Sequence, residues 1–176
     1  MAVDPPTLLT ERLELRPPVA EDFPAMTAII HDGDTARHLG PRMGVADHFL
    51  RFCRNAGSWL LYGYGGLMVR LRGSEEVIGS CGLFHGWRDL GPDFDDQPEG
   101  AWILRSDQVG RGIGFEAMAA VLEWFDRAHG PRRIVCMTTH DNGPSIALAG
   151  KLGFTLLREV ELDTGEAMRL FERLPR

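Results

Sequence analysis

The sequence predicts a mixed α/β (α+β) domain, with a mostly antiparallel sheet of about seven strands flanked by about four helices. Three observations predict it. Strand-like runs come in hairpin pairs in both halves of the chain, residues 114 to 129 carry the apolar period of a helix, and a glycine loop joins a strand directly to that helix.

The elements follow in order. Arg12 to Pro17 alternates Leu13 and Leu15 with charged residues and stops at two prolines, the pattern of a half-buried first strand. AEDFPAMTAIIHD carries Phe23, Met26, Ile29 and Ile30 behind an acidic first turn, and predicts a helix. A second helix is predicted over VADHFLRFCRNAG, ending at Gly57. GGLMVRLRG and EEVIGSCGLFHGW are strands two and three of a hairpin turning at Gly73-Ser74-Glu75. RDLGPDFDDQPEG is too rich in Asp, Gly and Pro for regular structure, and AWILRS is the fourth strand. Phe115, Met118, Ala119, Leu122, Phe125 and Ala128 share one face of the next helix, which Gly130-Pro131 ends. RRIVCMTT is a strand, NGPSIALAGKLG a short helix capped by Asn142, and FTLLREVEL with EAMRLFERL a last hairpin around Asp163-Thr164-Gly165. No repeat or linker divides the 176 residues, so residues 1–176 read as one domain.

Composition excludes several classes of function. Nineteen Lys and Arg against 25 Asp and Glu give a net charge of −6, and no basic run offers a footprint for nucleic acid. Cys53, Cys81 and Cys136 are far apart among apolar neighbours, which suits reduced thiols and a cytoplasmic protein. No apolar run is long enough to span or enter a membrane. His31, His38, His48, His129 and His140 lack paired metal-ligand spacing, so no metal site is expected.

Three glycines in five positions, Gly110, Gly112 and Gly114, stand where the long helix begins. A helix start exposes unpaired N–H groups and partial positive charge, and glycines let an anion approach them closely. A phosphate is the expected guest. A dinucleotide fingerprint fails, because the sixth position from Gly110 is Phe115, and a Walker-type loop fails because no Gly-Lys-Ser/Thr occurs.

AWILRSDQVGRGIGFEAM resembles motif A of the GCN5-related N-acetyltransferases (GNAT), whose Q/R-x-x-G-x-G/A loop holds the coenzyme A pyrophosphate. TERLELRPPVAEDFPAM and NGPSIALAGKLGF resemble the opening and the N-x-x-S…K-L-G-F segment of its RimJ/RimL-like, ribosomal-protein-type branch. The resemblance implies the GNAT fold and an enzyme that moves the acetyl group of acetyl-CoA to a primary amine. The acceptor, a protein N-terminus or a small molecule, stays open, and so does a homodimer. It further implies a pyrophosphate cradle of Val109, Gly110, Arg111, Gly112, Ile113 and Gly114. A pantetheine arm would lie beside main-chain groups at Ile103 and Leu104 and touch Asn142. Two departures stand out: Val109 replaces the usual Gln or Arg, and Ala149 stands where many relatives have a thiolate-protonating tyrosine. They keep open a non-catalytic acyl-CoA-binding or sensing domain. An acyltransferase for another acyl-CoA is also open.

Amine acetylation needs a proton acceptor and stabilisation of the departing thiolate. Ser145 is the candidate for the thiolate, unless it is simply a small residue in a helical first turn. Glu99, at the start of the fourth strand, is one candidate base, acting directly or through a water; His85, near the end of the third, is the other. No cysteine is placed to carry the acetyl group, so direct attack in a ternary complex is expected. Trp87 beside Asp89, Asp93, Asp95 and Asp96 reads as a rim that could attract a cationic amine, or as a merely solvated loop.

Overall fold

The computed structural model describes residues 5–39 and 44–175. Its strands are β1 (Leu8–Leu9), β2 (Leu13–Arg16), β3 (Gly66–Leu71), β4 (Val77–Gly86), β5 (Gln97–Leu104), β6 (Ile134–Thr139), β7 (Thr155–Glu161) and β8 (Ala167–Arg173). Its helices are α1 (Phe23–His31), α2 (Gly33–Ala36), α3 (Val45–Tyr62), α4 (Ile113–His129) and α5 (Gly143–Lys151). The strands form one sheet in the order β1-β2-β3-β4-β5-β6-β8-β7. Every neighbouring pair is antiparallel except β5 and β6.

Alternation in the sequence decides what each strand buries. Leu13 and Leu15 of β2 join Val69, Cys81 and Leu83 under α4, which contributes Met118, Val121, Leu122 and Phe125. On the opposite face Met26, Ile29 and Ile30 of α1 cover Met68 and Val77. Residues along β5 alternate in the same way: Trp102 and Leu104 pack on the α4 side, Ile103 on the α1 side.

Several boundaries differ from expectation. The sheet has eight strands among the described residues, because Leu8 and Leu9 pair with Leu15 and Glu14. Helix α3 does not stop at Gly57 but runs to Tyr62, where Gly63 takes the left-handed cap at φ 74°. Gly57 has open space around it, and the next residues, Ser58 and Trp59, are buried. That burial outweighs the roughly 1 kcal/mol a mid-helix glycine costs. Strand β5 starts at Gln97, so Glu99 is its third residue. Pairing of Gln97 to Gly100 with Gly86 to Leu83 of β4 overrides a locally loop-like composition.

The feature that positions the site is a seam. Strand β5 stays paired with β4 as far as Leu104, whereas its parallel pairing with β6 is confined to Glu99↔Val135 and Gly100↔Cys136. From Ala101 onward the edge of β5 facing β6 is unpaired by the sheet, while β6 remains paired with β8 through Thr139.

Candidate active site

The seam opens into a cavity of about 640 Å³. Ala101, Trp102 and Ile103 line it from β5, Thr138 and Thr139 from β6, and Asn142 and Ser145 from the start of α5. Its other end is walled by Arg51 and Arg54 of α3, with Arg88 and Glu99.

Asn142 caps α5: its side-chain oxygen accepts the Ser145 N–H at 3.1 Å, and Pro144 occupies the first turn. The Asn142 amide NH₂ is therefore not used by the cap. The Trp102 indole donates to Ser145 Oγ at 3.2 Å across the seam. An indole N–H only donates, so the serine accepts there and keeps its own O–H for another acceptor. Ile103 lines the cavity, but Leu104 does not, since its side chain packs against the position of Gly114.

The glycine loop lies outside the cavity lining, with Val109 to Gly112 exposed. Gly110 and Gly112 have φ of 78° and 77°, a conformation that disfavours any side chain. The first helical bond runs from the Glu116 N–H to the Gly112 carbonyl, 3.1 Å, so the amides just before Glu116 have no acceptor within the helix. The loop is tied down from behind. Glu116 accepts from Thr10 Oγ at 2.5 Å and from the Arg12 N–H and Nε at 2.9 and 2.6 Å, and Arg12 Nη1 donates to the Arg111 carbonyl at 3.0 Å. Burial opposes ionisation of Glu116, yet these hydrogen bonds prevail and hold its carboxyl below the ordinary range.

Beyond their main chain, three loop residues have further partners. A Cβ on Gly114 would lie 3.1 Å from Leu148 Cδ2, so this glycine lets α5 approach α4. Ile113 is buried in the core and offers only its main chain. The Arg111 side chain turns to the Gln108 side-chain oxygen at 3.1 Å.

The two candidate bases are separated. Glu99 lies in the cavity wall, 2 % exposed, with its oxygens held by Arg88 Nε at 2.9 Å and Nη2 at 2.6 Å. Its carboxylate reaches over Gly86, where a Cβ would come within 2.7 Å of Oε2. His85 does not line the cavity: it shares the sheet face of Cys81 and Leu83. There its Nδ1 meets the Tyr64 hydroxyl at 2.8 Å, its Nε2 meets Asp96 at 2.9 Å, and its ring stacks on Tyr62 at 3.9 Å. Both nitrogens of His85 are thus engaged, and its ring lies outside the cavity lining.

The acidic loop is likewise occupied. Asp93 pairs with Arg158 at 2.8 Å, Asp96 with His85, and buried Asp95 accepts the N–H groups of Arg88, Leu90 and Gly91 at 2.7, 2.9 and 3.1 Å. These carboxylates hold the loop's own fold. Ala149 is 1 % exposed within the main core, so a tyrosine there would overpack the interior. Burial pushes the Cys81 thiol up to about 12 and Cys136 well above its ordinary value, and Cys53 is outside the cavity lining. Among the described residues no group of His, Cys, Asp and Glu could hold a metal ion, and no helix is long and apolar enough to cross a membrane.

A sheet opened at a parallel seam, with an exposed glycine turn at the helix start that follows β5, is the arrangement that the acyltransferase motifs imply. The family model for the acetyltransferase (GNAT) domain matches residues 12–155, and the chain belongs to that family. It is similar in structure to a GNAT-family acetyltransferase from Bordetella pertussis, at 36 % identity and TM-score 0.85, over 96 % of this chain and 99 % of that one. An acetyltransferase from Agrobacterium tumefaciens is 30 % identical, with TM-score 0.79, over 94 % and 93 % of the two chains. The ribosomal-protein-S5-alanine acetyltransferase from Vibrio fischeri shares the fold at 16 % identity and TM-score 0.75, over 97 % of each chain.

The Arg51–Arg54–Arg88 group escaped the sequence reading. Its signal was two arginines three apart on a helix, which share a face.

Proposed function

We propose that this protein is an acetyl-CoA-dependent N-acetyltransferase acting on a primary amine, by direct attack in a ternary complex. The observation that carries the reading is the seam: β5 loses its β6 partner after Gly100 and leaves a strand edge open opposite the free O–H of Ser145. An extended amide-bearing arm fits such an edge, because each unpaired main-chain group there lacks a partner. The exposed turn at Gly110 and Gly112, with amides free of helical acceptors, suits the pyrophosphate end of the same donor.

Acetyl-CoA supplies the thioester. The amine forms a C–N bond to the acetyl carbon as the C–S bond breaks; the amine loses a proton and the thiolate gains one. Ser145 donates a hydrogen bond to the developing thiolate, with Trp102 fixing its orientation. Glu99 orients Arg88 in the wall rather than removing the proton, which passes to water. Direct attack is favoured over an acyl-enzyme because the two buried thiols are held protonated by their surroundings. Three cysteines without disulfide partners suit a cytoplasmic protein.

The test is thiol release from acetyl-CoA against a panel of primary amines, with the acetylated product identified by mass spectrometry. Release that depends on the amine supports the proposal. Tight acetyl-CoA binding without release for any amine would make the chain a binding or sensing domain instead.

A further inference from the structure

Three guanidinium groups converge at the Glu99 end of the cavity. Arg51 and Arg54 project from α3 within one turn of each other, and Arg88 follows β4. Arg88 is used, since it holds both oxygens of buried Glu99. Among the described residues neither Arg51 nor Arg54 forms an ion pair. Arg54 donates only to the Asn55 side-chain oxygen, at 3.3 and 3.2 Å, and lies 4.6 Å above the Phe84 ring; Arg88 approaches the same ring at 5.6 Å. Asp47 and Glu166 also line the cavity. The charges that act on Arg51, however, are Arg88 and Glu99, and those on Arg54 are Arg88, Arg51 and Glu99. Arg54 is exposed by its surface area, yet desolvation and the neighbouring guanidiniums lower its pKa to about 10.

Three like charges around one carboxylate that is already engaged repel one another, most strongly where water is partly excluded. A second anion entering the cavity would relieve that repulsion and meet donors matched to planar or tetrahedral oxyanions. We infer that the acceptor amine carries an anionic group, a carboxylate or a phosphate, that docks between Arg51 and Arg54 while the amine reaches along β5 towards Ser145. This rests on the acetyl-transfer reading of the same cavity. Glu99 and Trp102, which touches Ser145, are three residues of strand apart, about 10 Å, and on opposite faces of β5, so the acceptor would pass through the open seam. Amine and anion are therefore separated by several bonds, unlike those of an α-amino acid.

The experiment compares matched acceptors that differ only in charge: 6-aminohexanoate against its amide, and 6-aminohexyl phosphate against 6-aminohexanol. The anionic member of at least one pair should have the higher kcat/KM, by about tenfold or more at low salt, and the pair that shows it separates carboxylate from phosphate. In Arg51→Gln/Arg54→Gln the ratio should fall towards one through KM, and Arg51→Lys/Arg54→Lys should restore part of it. Equal kcat/KM within both pairs, or a ratio that survives the Gln substitutions, overturns the inference and leaves amine acetylation standing. Where no amine releases thiol, the acetyl-transfer reading is what fails. The anion site is then judged by calorimetry on CoA-saturated protein with glutarate and inorganic phosphate: binding lost in the Gln variant supports it, and no binding overturns it.

Discussion

Ser145 accepts from one indole and has one proton to give, which makes its substitution a clean measurement. Ser145→Ala should lower kcat by about 10- to 150-fold, the value of one hydrogen bond to a developing anion, about 1.5–3 kcal/mol. Acetyl-CoA affinity should change far less; a wild-type rate in single-turnover kinetics would reduce the serine to a helix-turn residue. Glu99 calls for a different readout. If it organises Arg88, Glu99→Gln lowers the rate but leaves the acidic limb of the kcat–pH profile in place, whereas loss of that limb would make Glu99 the base. Sequence alone could nominate Glu99 and His85 equally. What separates them is the strand parity of His85 and the guanidinium against Glu99, and the partners, Tyr64, Asp96 and Arg88, lie 11 to 21 residues away in the chain.

At the scale of elements, the glycine loop was legible because a turn and a helix start are local events. Helix α4 begins within one residue of its predicted position, for the same reason. The division of labour among the glycines was not, since it depends on α5 arriving beside α4. Gly112→Val forces a branched side chain to φ 77°, at a cost of about 1–2 kcal/mol, and crowds the anion's approach. It should weaken acetyl-CoA binding by about tenfold or more in calorimetry. Gly114→Val should instead lower the urea midpoint by overpacking Leu148, about 1–3 kcal/mol. Helices α3 and α4 also carry a pH dependence. Burial depresses His48 and His129 below the ordinary 6.5, against a hydrogen bond from His129 to the Gly63 carbonyl that opposes the shift only in the second case. The unfolded chain then binds more protons below about pH 6.5, so their contribution is complete above that value and declines as pH falls through it. Urea midpoints at pH 7.5 and 5.5 should fall on acidification, and His48→Gln with His129→Gln should flatten the difference.

For the molecule as a whole, the antiparallel hairpins could be foreseen from alternating residues, but the seam could not. Nothing in QPEGAWIL or RRIVCMTT announces that their pairing ends after two positions. It ends because β6 follows β8 while β5 follows β4. The β5 amides alternate in direction, and because the Arg105 N–H bonds to the Ile78 carbonyl of β4, it is the Trp102 and Leu104 amides that face the seam. Hydrogen exchange should find these two faster than Ala101 and Ile103, and slowed when acetyl-CoA is added. An unchanged pattern would argue against the open edge as the donor's berth.

The two ends of that opening are not equally tied. Beside the paired end, Asp93 receives Arg158 of β7 through its carboxylate and Arg133, just before β6, through its carbonyl, at 2.8 and 2.6 Å, so the loop before β5 is clamped to both. At the open end, among the described residues, one side-chain hydrogen bond, the indole–hydroxyl contact of 3.2 Å, joins β5 to α5. In its contacts the sheet is built like a peg, with a firm spring at one end and lightly joined jaws at the other. A donor entering there would have one polar contact to displace, and Trp102 is the side chain whose length a change of aperture would have to accommodate.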